Sequence, residues 1–166
     1  MPSPIGHALA GIAIAGACGR AEASRRDIGF LVLCATAPDL DLLLRWVDGA
    51  NHHRGPSHSL GAALILAIAV FLLRRFGLKT PSGWLAGLAW ASHVALDYVG
   101  VDTSPPFGEM ALWPVSDGFY IAPVFLFYDV PRSFTEAAIR HNLLAVGIEI
   151  LVLLPVAALG WRRPAP

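Results

Sequence analysis

Apolar residues gather into five long runs, and four of these are broken by ionisable side chains that an apolar environment rejects. The runs cover roughly Pro4 to Gly19, Ile28 to Val47, Leu60 to Leu73, Gly83 to Val101, and a final stretch ending near Trp161. Only 14% of the residues are charged, against about 25% in a typical soluble domain, so the chain has too few charges to cover a water-facing surface. The expected class is an integral membrane protein. The third and fourth runs, at 14 and 19 residues, sit near or below the roughly 20 residues of an untilted span; tilt and polar ends make up the difference. The expected fold is all-α, a polytopic membrane helix bundle of about five spans in one domain over residues 1–166. Formal net charge is zero and no basic patch carries interleaved aromatics, which argues against a nucleic-acid partner.

Taken in order, the first run lacks a basic start and reads as a retained span, with Gly6, Ala10, Gly11, Ala15 and Gly16 allowing a close helix neighbour. Cys18 and Cys34 lie in apolar runs without a CxxC pattern and read as small core residues. In the second run Pro38 removes a helical hydrogen bond beside Asp39 and Asp41, so the helix kinks or breaks there. Two carboxylates at such a break are costly and mark a functional site. At i, i+2 they cannot share a helix face, so one faces the interior while the other caps or orients. A polar loop then holds His52, His53, Arg54, Gly55, Pro56, Ser57 and His58. The segment from Asp102 to Asn142 is rich in aromatics, including Trp113, Phe119, Tyr120, Phe125, Phe127 and Tyr128, and reads as an outer interfacial loop or short helix. Ser133 and Glu136 have capping-box spacing for the last helix, which carries Glu149 and ends in Arg162 and Arg163.

His93 and Asp97 stand four apart in the fourth run, so a helix stacks them on one face, where imidazole and carboxylate can grip one ion. A plain His–Asp hydrogen bond inside a bundle is the alternative. Topology bears on the choice. With the N-terminus outside and the C-terminus cytoplasmic, eight Lys and Arg residues fall inside (Arg20, Arg25, Arg26, Arg74, Arg75, Lys79, Arg162, Arg163) and four outside (Arg45, Arg54, Arg132, Arg140). That is the expected cytoplasmic excess. It also places His7, Asp39, the loop histidines, His93 and Asp97 in one layer, about 10 Å or less below the outer face. Scattered structural histidines have no reason to share a depth, and the metal reading gains from it.

The strings Pro2-Ser3-Pro4-Ile5-Gly6-His7, Pro38-Asp39-Leu40-Asp41, His53-Arg54-Gly55-Pro56-Ser57-His58-Ser59 and Ser92-His93-Val94-Ala95-Leu96-Asp97, in this order, resemble the bacterial YdjM family. The resemblance runs to about Trp113-Pro114 and implies a protein of the bacterial inner membrane with metal-dependent hydrolase activity. The order of ligand types is also similar to the first part of the pattern in zinc-dependent phospholipase C and the S1/P1 nucleases. Carried over by position, that similarity implies His7, Asp39, His58, His93 and Asp97 as metal ligands, with Asp97 able to bridge. Those enzymes continue with a closely spaced HxxxE, whereas His141 and Glu149 here stand eight apart. The expectation is therefore one divalent ion, zinc in the first instance.

Such an ion lowers the pKa of water and polarises a phosphoryl or acyl oxygen. Asp39 or Asp41 can take up the proton, and Arg54 can hold a phosphate oxygen through its guanidinium fork. Gly55-Pro56 sets a turn that brings His53 and His58 inward. Asp41, His53 and Arg54 are thus the candidate catalytic residues. Arg54 also reads as a headgroup anchor, His52 as a solvated side chain and His141 as a helix start, while Glu149 should face the bundle. The expected function is hydrolysis of a phosphoester or ester in a lipid or lipid-linked substrate at the outer interface. Two alternatives stand beside it. One is a non-catalytic scaffold held together by metal, which a closed coordination shell would favour. The other is an ion-coupled transporter, against which five unequal spans without inverted repeats count.

Overall fold

The computed structural model describes residues 1–17 and 24–161. Cys18, Gly19 and Arg20 of the first run and link, and Arg162 and Arg163 of the expected cytoplasmic tail, lie outside the described residues. The order is α1 (Pro4–Ala17), α2 (Arg25–Thr36), a 3-10 helix (Ala37–Leu44), α3 (Arg45–Asp48), α4 (Leu60–Arg75), α5 (Gly83–Tyr98) and α6 (Glu136–Trp161). The described residues hold no strand, only two isolated bridges, Gly100 with Phe127 and Glu109 with Tyr120.

Local chemistry sets these boundaries. Ser24 opens α2 through a capping box with Asp27. Pro38 lies in the first turn of the 3-10 helix, where its missing N–H is not needed. Ser59 and Ser82 cap α4 and α5 by accepting from the backbone of Ala62 and Leu85. The capping box expected at Ser133 is displaced. The Thr135 hydroxyl accepts from Ala138, the Ser133 hydroxyl accepts from Thr135, and Glu136 is already the first helical residue, paired with Arg140 one turn on. Thr135 wins because it stands two residues closer to the apolar helix.

Helix α1 is the hub, packed against α6, α2 and α5, while α5 also packs on α2 and α4. The shared core is made of small or slim residues, Ala15, Leu31, Cys34, Ala35, Val70, Leu85, Ala86 and Ala89. Close approach is needed at several glycines, Gly11 and Gly83 among them. A Cβ on Gly11 would lie 2.8 Å from the Val32 Cα, and one on Gly83 would collide with the Ala67 carbonyl of α4. Large apolar side chains point outward instead, among them Leu64, Ile65 and Phe71 of α4 and Leu143, Leu151 and Leu159 of α6. Small inside and large outside is how helices pack when the surrounding medium is itself apolar.

Helix α6, with 26 residues, is long and apolar enough to cross a membrane, and it alone among the described helices meets that test. Helices α1, α2, α4 and α5, at 14, 12, 16 and 16 residues, rise only about 18–24 Å against a hydrocarbon core of roughly 30 Å. The all-helical expectation holds, whereas among the described helices one, and not five, is long and apolar enough to span. The segment between α5 and α6 docks on the end of α5 through Ala122 to Tyr98, Leu126 to Val99, and Val101 to Phe127 backbone hydrogen bonds.

Candidate metal centre

Four segments deliver the site. Helix α1 brings His7, the 3-10 helix brings Asp39 and Asp41, the loop before α4 brings His53 and His58, and α5 brings His93 and Asp97. The loop is pinned on both sides. Gly55 donates to the His52 carbonyl at 3.1 Å and His58 to the Gly55 carbonyl at 2.9 Å, while the Trp90 indole of α5 donates to Ser57 at 2.8 Å. Arg54 takes a positive φ of 67° within this turn.

The centre of the arrangement is a cage of four atoms. His58 Nε2 and His93 Nε2 face each other at 3.1 Å. Asp39 Oδ1 stands 3.7 Å from each of them, and Asp97 Oδ2 stands 3.6 and 3.5 Å away. Ligands of a tetrahedral zinc, bonded at about 2.0–2.1 Å, are spaced at about 3.3 Å, so the cage has the dimensions of a divalent site. His58 and His93 are fully buried.

Both imidazoles are held in the tautomer that ligation needs. His93 Nδ1 lies 2.8 Å from the Ala35 carbonyl, which only accepts, so that nitrogen carries the proton and Nε2 keeps its lone pair. His58 Nδ1 lies 3.1 Å from Asp41 Oδ2, again an acceptor. Two lone pairs pointed at each other across 3.1 Å repel unless a cation or a proton sits between them. Without a metal the proton takes that place. Burial works against charge on His58, but the carboxylates of Asp39, Asp41 and Asp97 outweigh it and push its pKa up to about 10.

Asp41 is the outer partner. Its Oδ1 meets His53 Nδ1 at 2.8 Å, and its Oδ2 accepts from Ser57 at 2.6 Å besides holding His58. A 3-10 helix has three residues per turn, so side chains two apart diverge by about 120°; Asp39 and Asp41 therefore meet opposite edges of the His58 ring. His7 stacks on His93 with ring centroids 3.7 Å apart and places Nε2 3.3 Å from Asp97 Oδ1, the oxygen that faces away from the cage. Two adjoining groups can thus hold an ion, His7 with His93 and Asp97, and Asp39 with His53 and His58. Asp97 lies where it can serve both. Neither nitrogen of the buried His7 has a hydrogen-bond partner, nor does Nε2 of His53, which leaves these imidazoles free to ligate.

The other residues singled out in the sequence fall as follows. Arg54 is buried, ion-paired with Asp102 and hydrogen-bonded to the Ser104 carbonyl at 2.8 Å, so part of its fork is already used. With His53 and Arg132 it lines a polar cavity of about 320 Å³ beside the cage. His52 pairs with Asp48 at the surface and takes no part. His141 binds the Asp129 carbonyl at 2.9 Å, away from the site. Glu149 is fully buried in α6 and accepts the Ser3 backbone N–H at 2.7 Å as well as the Ser3 hydroxyl. Cys34 belongs to the apolar core. Sequence reasoning missed the Asp102 partner of Arg54, the Ser3 partner of Glu149, and the buried Glu109. Only burial could have revealed these three, because none stands in a recognisable spacing.

A family model described as YdjM inner membrane protein matches residues 1–163. Neither the curated proteins nor the solved structures contain a match.

Proposed function

The chain belongs to the YdjM inner membrane protein family, and we propose that it is a membrane-embedded, metal-dependent hydrolase of phosphoester lipids or lipid-linked phosphoesters. The observation that carries this reading is the cage of His58 Nε2, His93 Nε2, Asp39 Oδ1 and Asp97 Oδ2, two imidazole nitrogens and two carboxylate oxygens brought together from three segments. Zinc suits imidazole and carboxylate donors. When bound, such an ion acidifies water and polarises a phosphoryl oxygen.

The protein's own groups would do the rest. Asp39 is the least enclosed of the carboxylates, its side chain 19% exposed, and in this reading its second oxygen takes the proton of the attacking water. Asp41 acts through His53 and His58, holding both rings in register. The cavity of Arg54, His53 and Arg132 also carries Asp102 and Asp129, so an anionic headgroup there would be met by Arg132 and by the part of the Arg54 fork that Asp102 and Ser104 leave open. In this reading α1, α2, α4 and α5 lie in the membrane beside α6, tilted or reaching the interfaces by their polar ends, with the N-terminus outside and the site near the outer face.

The test combines metal analysis of detergent-purified protein with assays of lipid phosphodiesters and esters. The reading requires about one or two equivalents of divalent metal, and turnover that disappears in His93→Ala and Asp97→Ala. Equal turnover by those variants removes it. A second reading has one observation in its favour: four protein side chains converge on one point, enough to close a structural site. Stoichiometric metal, with a sharp loss of thermal stability on chelation and no hydrolysis of any ester, would favour such a scaffold.

A further inference from the structure

Glu109 belongs to neither metal group, yet it is the most anomalous carboxyl outside the cage. Its residue is 1% exposed and neither side-chain oxygen has a hydrogen-bond partner. Leaving a carboxylate in that condition costs several kcal/mol, so the position calls for an acid or for a ligand that has yet to arrive. Backbone bonds fix where it lies. Met110 donates to the Arg54 carbonyl at 3.0 Å and Leu60 to the Ala111 carbonyl at 3.0 Å, so residues 109–111 run alongside the loop that carries His58. The opposite wall is α5. Glu109 shares with Val94, Ala95, Tyr98, Leu60 and Leu112 an apolar cavity of about 410 Å³, on the helix that carries His93 and Asp97. One cavity thus opens at His53 and Arg54, and an apolar one opens at Glu109.

We propose that Glu109 is the catalytic acid of this site, donating its proton to the leaving oxygen of a substrate whose apolar chain occupies the cavity beside it. The proposal rests on the hydrolase reading and adds to it the identity of the proton donor and the side on which the leaving group departs. Water forms a bond to phosphorus as the bond from phosphorus to the alkoxide oxygen breaks. One water proton passes to Asp39, the Glu109 proton goes to the alkoxide, and the products are an alcohol and a phosphate carrying the water oxygen. Solvent then returns Asp39 and Glu109 to their starting states as the products leave. Burial, reinforced by the charge of Asp97 and opposed by His58 and Arg54, raises the Glu109 carboxyl to about 9, so it holds its proton at neutral pH.

The decisive variant is Glu109→Gln, which matches the neutral acid in size and cannot give up a proton. Two phosphodiesters are compared, one with an alkyl leaving group and one with p-nitrophenolate, which departs without protonation. Turnover of the alkyl ester should fall by roughly 10²–10³-fold while the p-nitrophenyl ester changes by less than about threefold. Infrared spectra at neutral pH should show a protonated carboxyl C=O stretch in the wild type that the variant lacks. Equal losses on both esters, no loss on either, or no such carboxyl band overturn the assignment of Glu109 and leave the hydrolase reading standing. A wild type that cleaves neither ester removes both.

Discussion

Glu149 of the last helix accepts the backbone N–H of Ser3 at 2.7 Å, at the threshold of the first helix. The same carboxylate takes the Ser3 hydroxyl, and that hydroxyl accepts from Gly6. A buried carboxyl group thereby finds both hydrogen bonds and the positive end of a helix dipole, which is how an ionisable residue is tolerated deep in α6.

Glu149→Ala should therefore act at a distance. It leaves the Ser3 donors unsatisfied and frees the start of α1, costing roughly 2–4 kcal/mol. His7 stands one turn into that helix, so metal affinity should weaken along with Tm. Thermal melts in detergent with and without added zinc check both effects. A variant with normal Tm and normal zinc affinity contradicts the capping role.

Asp41→Asn should leave the fold in place and lower metal affinity about 10–100-fold. The amide cannot accept from both His53 and His58 as the carboxylate does, so the rings lose their enforced tautomer. Asp48→Asn is the matched control, since it alters an exposed Asp–His pair outside the site. Competition titrations with a zinc chelator read the difference.

Much of this centre is legible in the chain because each ligand sits in a short string with a physical signature. Pro38 announces a broken turn beside Asp39 and Asp41, and the spacing of His93 and Asp97 announces a shared helix face. What stays hidden depends on contacts between distant segments. Nothing near Glu109 in the chain distinguishes it from a solvated loop acid until the fold buries it beside Tyr98 and Leu60, which line the same cavity. Likewise Arg54 reads as free to bind phosphate until Asp102, 48 positions on, pairs with it. The length of each apolar helix was hidden for a related reason. Hydropathy measures apolar length, but a run such as Ile28 to Val47 spends part of that length on the 3-10 break at Pro38.

Metal uptake should release a proton. In the metal-free protein the carboxylates keep His58 protonated up to about pH 10, so an ion entering the cage must displace that proton. Below pH 10 each unit of rising pH should strengthen zinc binding by about tenfold. Calorimetric titrations in buffers of different ionisation enthalpy measure the released protons. Zinc affinity independent of pH between about 6 and 9 would mean that His58 is not in the ligand set.

Glu109 gives stability a pH dependence of unusual sign. Its folded pKa of about 9 lies above its ordinary value of 4.5, so the folded chain retains a proton that the unfolded chain releases. Its contribution is complete below pH 4.5, declines as pH rises from there, and is gone above about 9. Most carboxylates in folded proteins are depressed and act in the opposite direction. Glu109→Gln removes this decline without removing the neutral, buried shape. The difference in Tm between wild type and variant should therefore widen steadily as pH rises from about 5 to 9, with the variant the more stable at the alkaline end. Parallel melting curves across that interval would show that the Glu109 carboxyl ionises freely, and that the buried acid beside the apolar cavity is not held in its protonated form.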